Sequence, residues 1–201
     1  MTLATFAAIC TAFVAGTHQM TRERIAANAR ELLERSLEPA LGGLHHDGEL
    51  TAAELVVEPP HALPGPGPAS IYRVFADSRP VAALFVVTAM DGYSGPIRFV
   101  LGVDVNGRIT GLEILEHRET PGLGDGIDSS RSDWGHQFVG RSIADPQPGQ
   151  WAIRADGGEF DQLTGASITP RAVTRAIRDT LLYFDANRQE IFSASAGEQK
   201  Q

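Results

Sequence analysis

The sequence predicts an α+β fold, an antiparallel sheet with helices packed on it, tethered by one N-terminal transmembrane helix. Three features lead there. "PIRFVLGVDV" and "RITGLEIL" are joined by Asn106-Gly107, a hairpin signal between β-branched runs. Val173, Ile177, Leu181 and Phe184 recur at the spacing of one helical face. Leu3 to Gly16 carries no charged residue.

Taken in order, residues 1–20 are the expected anchor. At about 1.5 Å per residue the uncharged run covers roughly 21 Å, short of the ~30 Å hydrocarbon core, a gap that either a tilted or snorkelling span over Met1 to Met20 or a start upstream of this Met1 would close. A secretory signal peptide competes with this reading, but no basic segment precedes the apolar run. Residues 21–69 are expected to form a stalk helix and a connection. In the stalk, Ile25, Ala29, Leu32 and Leu37 fall near one face, with Arg22, Arg24, Arg30 and Arg35 among the charges around it. By the positive-inside rule those arginines place the globular part in the cytoplasm. The connection, "EPPHALPGPGPAS", is too rich in Pro and Gly to hold a helix or a ladder.

The globular domain is expected over residues 70–190, followed by a flexible tail, 191–201. "SIYRVFA", "PVAALFVVTAM" and the two hairpin runs read as strands. "DWGHQFVG" reads as a short helical piece and "WAIRA" as another short strand. The closing helix should run from Pro170 to about Arg188, with Thr169 as its N-cap and Pro170 at its first position.

Composition narrows the function. A net charge of −8 and the absence of a basic patch disfavour a nucleic-acid partner, and none is expected. The single cysteine, Cys10, excludes a disulfide within the chain and a cysteine-ligated cluster. His45 and His46 sit in a Gly-flanked loop with no third ligand at a useful spacing, so no metal site is expected. No acid–base dyad or nucleophile triad stands out, and no catalytic residue is assigned.

Two loops resist a bland reading. "DQLTGASITPRAV" puts Ser167 on an open turn ahead of a helix N-terminus, where backbone N–H groups and the helix dipole favour an anion and Arg171 adds positive charge. "HRETPGLGDGI" surrounds Glu119 and Thr120 with glycines, so backbone can approach a flat ligand closely. Each alone is compatible with ordinary turn chemistry. Together they suggest a phosphate end and a ring end of one cofactor. A hydrolase using Ser167 and a tethered module without redox chemistry are the competing classes.

"DQLTGAS" resembles the D-x-x-[S/T]-G-A-[T/S] flavinylation motif, in which a flavin transferase joins the phosphate of FMN to the last hydroxyl. "GYSGPIRFVLGVD", "HRETPGLGD" and "SDWGHQFVG" are similar to corresponding pieces of the FMN-binding subunits of respiratory ion pumps. The nearest likeness is to the G subunit of the Rnf complex, the ion-translocating ferredoxin:NAD oxidoreductase. The C subunit of the sodium-pumping NADH:quinone reductase shares the motifs over less of the chain. The likeness covers the anchor and most of Ser70 to Phe184, and leaves Gly42 to Pro68 unmatched.

The resemblance implies an electron-transfer subunit carrying covalent FMN. Ser167 would form the phosphoester, where the family usually has threonine. Thr164, Gly165, Ala166 and Ile168 would hold the phosphate with it, and Glu119, Thr120, Leu123 and Gly124 would lie against the ring. The implied partners are the other membrane and iron–sulfur subunits of the complex, the flavin transferase and the membrane itself. The implied location is the bacterial inner membrane, with the globular part on the periplasmic side, against the arginine count.

Overall fold

The computed structural model describes residues 30–193, together with Phe6, Thr11, Thr21 and Asn28. The expected anchor and most of the stalk, including Ile25 and Ala29, lie outside the described residues, as does most of the tail. Among the described residues no helix is long and apolar enough to cross a membrane. The chain divides into two compact units, Met1–Arg35 and Ser36–Gln201. In the first, residues 30–35 are helical, and Arg35 pairs with Glu31 one turn away at 2.6 Å.

The second unit is built on a five-stranded antiparallel meander in chain order: β1 (Glu54–Val57), β2 (Ala69–Ala76), β3 (Arg79–Ala89), β4 (Ile97–Asp104) and β5 (Ile109–Glu116). The Asn-Gly signal locates the β4–β5 hairpin, with different chemistry from a two-residue primed turn. Gly107 alone takes a positive φ, +83°, and its N–H closes a turn onto the Asp104 carbonyl at 3.0 Å. The Asp104 carboxylate accepts from the Asn106 and Arg108 amides at 2.8 and 2.9 Å, which fixes the loop.

Alternation along the strands divides the core. Phe85 and Val87 of β3 and Phe99, Leu101 and Val103 of β4 face the 26-residue helix α1 (Ile168–Ser193). Val173, Ile177, Leu181 and Phe184 are all buried in that cluster, and Phe184 meets Phe85 edge to face, ring centroids 6.1 Å apart. Leu37, Ala40, Leu41 and Leu50 are buried too, on or beside 3-10 turns at Glu38–Leu41 and Leu50–Ala53 that pack against the sheet. Paired Gly102 and Gly111 make this possible, because a Cβ on Gly102 would lie 2.0 Å from the Ala40 carbonyl oxygen. Thr110 donates its hydroxyl to the same oxygen at 2.6 Å.

Three local readings are corrected. "WAIRA" is not a strand: Trp151 and Ile153 are buried, but the backbone makes only an isolated bridge, Ile153 to Phe160, before a 3-10 turn at Arg154–Asp156. Burial of alternate residues is met there by a turn packed on an aromatic cluster. Helix α1 begins at Ile168, two residues earlier than expected, so Ser167 and not Thr169 precedes its first turn. The Arg171 amide donates to the Ser167 carbonyl at 3.2 Å, and Pro170 falls where a first-turn N–H has no intrahelical acceptor. The helix also runs past Arg188 to Ser193.

β1 lies just ahead of the Pro- and Gly-rich connection, within the span 21–69 where no strand is expected, and it has a titratable tie to the sheet. Tyr72 of β2 donates its hydroxyl to Glu54 of β1 at 3.1 Å. Burial, then the Glu54 charge, push the Tyr72 pKa up to about 12. An unfolded tyrosine ionises near 10, so between roughly pH 10 and 12 the unfolded chain binds fewer protons than the folded one and stability falls as pH rises. Thermal melting of the wild type should therefore decline across that window more steeply than that of Tyr72→Phe. Parallel declines would show that Tyr72 ionises as freely in the folded protein as in the unfolded chain.

Candidate functional site

The two singled-out loops meet at one end of the sheet. In the second, Leu163 to Ala166 form a β-turn closed by the Ala166 N–H onto the Leu163 carbonyl at 3.1 Å. Gly165 sits at its third position with φ +77°, a conformation that glycine adopts without strain. The chain then turns directly into α1. By helix geometry the amides of Ile168 and Thr169 have no acceptor within the helix.

The entry to this turn is held from behind. Asp161 donates its N–H to the Gln137 carboxamide at 2.6 Å, and its carbonyl accepts from the Trp134 indole at 2.6 Å. Trp134 and Phe138 belong to a buried stack with Trp151 and Phe160, in which Phe138 lies 4.7 Å from Phe160 and Trp151 lies 4.6 Å from Phe160 by ring centroid. The "SDWGHQFVG" segment, a 3-10 turn over Trp134–Phe138, thus supports the other motif.

The first loop is wound around one carbonyl. The Thr120 oxygen accepts from the amides of Leu123 and Gly124, each at 3.1 Å, and Gly122 at φ +76° lets the chain reverse. Its N–H bonds the Asp125 carboxylate at 2.8 Å. Glu119, only 4% exposed, is turned inward. One carboxylate oxygen accepts the Ser94 amide at 2.9 Å and the other accepts the Thr169 hydroxyl. Gly124 passes so close that a Cβ there would lie 2.9 Å from both the Glu119 and Thr169 oxygens.

A cavity of about 330 Å³ opens between these segments. Glu119, Thr120, Leu123, Gly124, Gly165, Ala166, Ser167 and Ile168 all line it. Thr164, the remaining residue of the expected set, is exposed at the turn and does not line the cavity. Tyr93 and Thr169 do, although the sequence reading places neither there. Tyr93 stands in a recognisable segment, "GYSGPI", and an exposed aromatic beside glycines is the signal that could have found it. The capping role expected of Thr169 is excluded because its hydroxyl is given to Glu119, 50 residues away in sequence.

Arg171 does not add its charge to the anion end in the expected way. Its guanidinium instead grips Asp156 with two hydrogen bonds, the Nη2 one at 2.8 Å, which holds the Asp156 carboxyl below the usual range. Among the described residues no group of three or more His, Cys, Asp or Glu side chains gathers as a metal site.

A cavity of this size is at the lower end of those that hold small organic ligands, ~300–1,000 Å³. Its donor set suits FMN. The exposed Tyr93, Leu123 and Ile168 offer apolar surface to a flat ring, and a hydroxyl beside free helix amides suits a phosphate. Sequence comparison agrees with that class: the profile of the FMN-binding domain matches residues 92–182, and that of the RnfG N-terminal region matches residues 1–39.

The chain is 40% identical over 191 residues to the G subunit of the ion-translocating oxidoreductase complex of Shewanella baltica, covering 95% of this chain and 90% of that protein. The G subunit of Pseudomonas aeruginosa is 39% identical over 193 residues, 95% and 89% of the two chains. That of Escherichia coli K12 is 41% identical over 183 residues, 91% and 88%. The chain belongs to the family of G subunits of ion-translocating oxidoreductase complexes.

Proposed function

We propose that this chain carries one FMN, joined through its phosphate to Ser167, and passes electrons as a non-autonomous subunit of an Rnf-type ion-translocating oxidoreductase. The observation that carries this reading is a single cavity lined by both the Ser167 hydroxyl and the Glu119–Gly124 loop. FMN supplies the redox chemistry when bound, while the protein supplies attachment, orientation and electrostatics. Ser167 offers the nucleophilic oxygen to a flavin transferase. Gly165 and Ala166 keep the approach to it open, and the amides of Ile168 and Thr169 face the phosphate's charge. Tyr93, Leu123 and Ile168 would offer the ring apolar surface, and Thr120 and Gly124 would line the wall beside it. A hydrolase use of Ser167 needs a base; among the described residues no histidine lines the cavity, and the carboxylate that does, Glu119, accepts from Ser94 and Thr169 with its two oxygens.

The apolar run at residues 1–20 holds the subunit in the bacterial inner membrane, with the flavin domain on the periplasmic side beside the membrane and iron–sulfur subunits of the complex. One experiment tests carrier and anchor together. Membranes from cells producing the chain with a flavin transferase are washed with carbonate, and both fractions are run on a denaturing gel. A fluorescent band at the size of the full chain in the membrane fraction is expected. A dark band overturns covalent FMN, and a fluorescent band in the wash overturns the anchor.

A further inference from the structure

The cavity walls come from three separated segments: the β3–β4 loop at Tyr93–Ser94, the loop after β5, and the first turn of α1. One side chain bonds all three together. Glu119 belongs to the second segment, accepts the Ser94 amide of the first and accepts the Thr169 hydroxyl of the third. Both carboxylate oxygens are thereby occupied by protein donors in a buried position, where breaking such a bond costs far more than on the surface. The Glu119 amide is itself fixed by donating to His117 Nδ1 at 3.1 Å. Gly124 is packed against the Glu119–Thr169 contact, so the loop follows that contact closely.

We infer that Glu119 is a positioning residue, a carboxylate bracket that with Thr169 presets the cavity so that a flavin attached at Ser167 is held against the Tyr93 and Leu123 walls. This rests on the reading of the cavity as the FMN site. Attachment and ring seating are then separable: the phosphoester requires the Ser167 oxygen, and seating requires the bracket. Thr169 is the sharper probe, because its hydroxyl acts on Ser94 only through Glu119.

The test uses the full chain produced with and without a flavin transferase, as wild type, Glu119→Gln, Thr169→Val and Thr169→Ser. Three quantities are read: the mass increment of covalent FMN, quenching of flavin fluorescence by iodide, and hydrogen exchange of the 91–95 segment in the flavin-free protein. Thr169→Val strands a buried carboxylate oxygen, so exchange at 91–95 should quicken by about tenfold, the factor set by losing one such buried bond. Glu119→Gln can keep both contacts, its carboxamide oxygen accepting from the Ser94 amide and its NH2 donating to the Thr169 hydroxyl oxygen, so its exchange should stay nearer wild type than that of Thr169→Val. In Thr169→Val iodide quenching should rise while the FMN increment stays. Thr169→Ser restores the hydroxyl and should match wild type in all three.

Wild-type exchange at 91–95 in Thr169→Val, or unchanged quenching with the increment present, overturns the bracket. A wild-type chain without any increment overturns the FMN reading instead, and flavin-free exchange still decides whether Glu119 couples the three segments.

Discussion

Ser167→Ala should abolish covalent flavin, and Ser167→Thr should retain it. The Ser167 hydroxyl is the last in the segment that resembles the flavinylation motif, and it lines the cavity directly ahead of α1. The neighbouring hydroxyls are poor substitutes. Thr164 lies outside the lining, and Thr169 is buried with its oxygen already bonded to Glu119. Loss of a side-chain oxygen at a helix N-cap costs about 1 kcal/mol, so the alanine variant should still fold. The measurement is intact-protein mass after production with the transferase. Wild type and Ser167→Thr should carry the increment of FMN minus water. An alanine variant that carried it would move the attachment elsewhere.

Phe138→Ala should produce the largest loss of stability. Phe138 is fully buried, and its ring contacts Trp134, Trp151 and Phe160, with centroids at 5.1, 6.3 and 4.7 Å. Emptying such a site costs about 3–5 kcal/mol, since the surrounding rings collapse only in part. For a domain of this size that lowers the melting temperature by roughly 10 °C. The cluster also positions Trp134, whose indole holds the Asp161 carbonyl, so the same variant should raise hydrogen exchange in the 161–166 turn. Phe138→Leu keeps most of the volume and should recover more than half the loss. A melting temperature within about 2 °C of wild type would show that the loop-rich interval folds without its aromatic core.

The legible parts of this fold are those with a strong local signal. Strands β2 to β5 and the apolar face of α1 are written in short-range periodicity, and the Asn-Gly pair marks their last hairpin. β1 is not legible because four residues, "ELVV", are too short a run to display a period, and they pair with β2 across the Pro-rich loop. The start of α1 is hidden for a related reason. Thr169-Pro170 satisfies every local rule for an N-cap and first position, yet a tertiary partner, Glu119, claims the threonine. At the site, residue types point to two loops that line one cavity, and what sequence alone does not supply is how their side chains are engaged within it. Glu119, expected to lie against the ring, does line the cavity, and both its carboxylate oxygens accept from protein donors. Gly102 and Gly111 are inconspicuous in the strands, although they let the Glu38–Leu41 turn rest on bare backbone.

The long sequence span of the bracket sets an order of assembly. Ser94 and Glu119 are 25 residues apart, and Glu119 and Thr169 a further 50. A chain emerging from its N-terminus completes all five strands before the last wall of the cavity has been made. Closing so wide a loop is entropically costly until the apolar face of α1 is there to repay it. On this entropic ground the cavity is a late product of folding, completed when α1 docks, and under the proposed reading of the site a flavin would join Ser167 only after that docking.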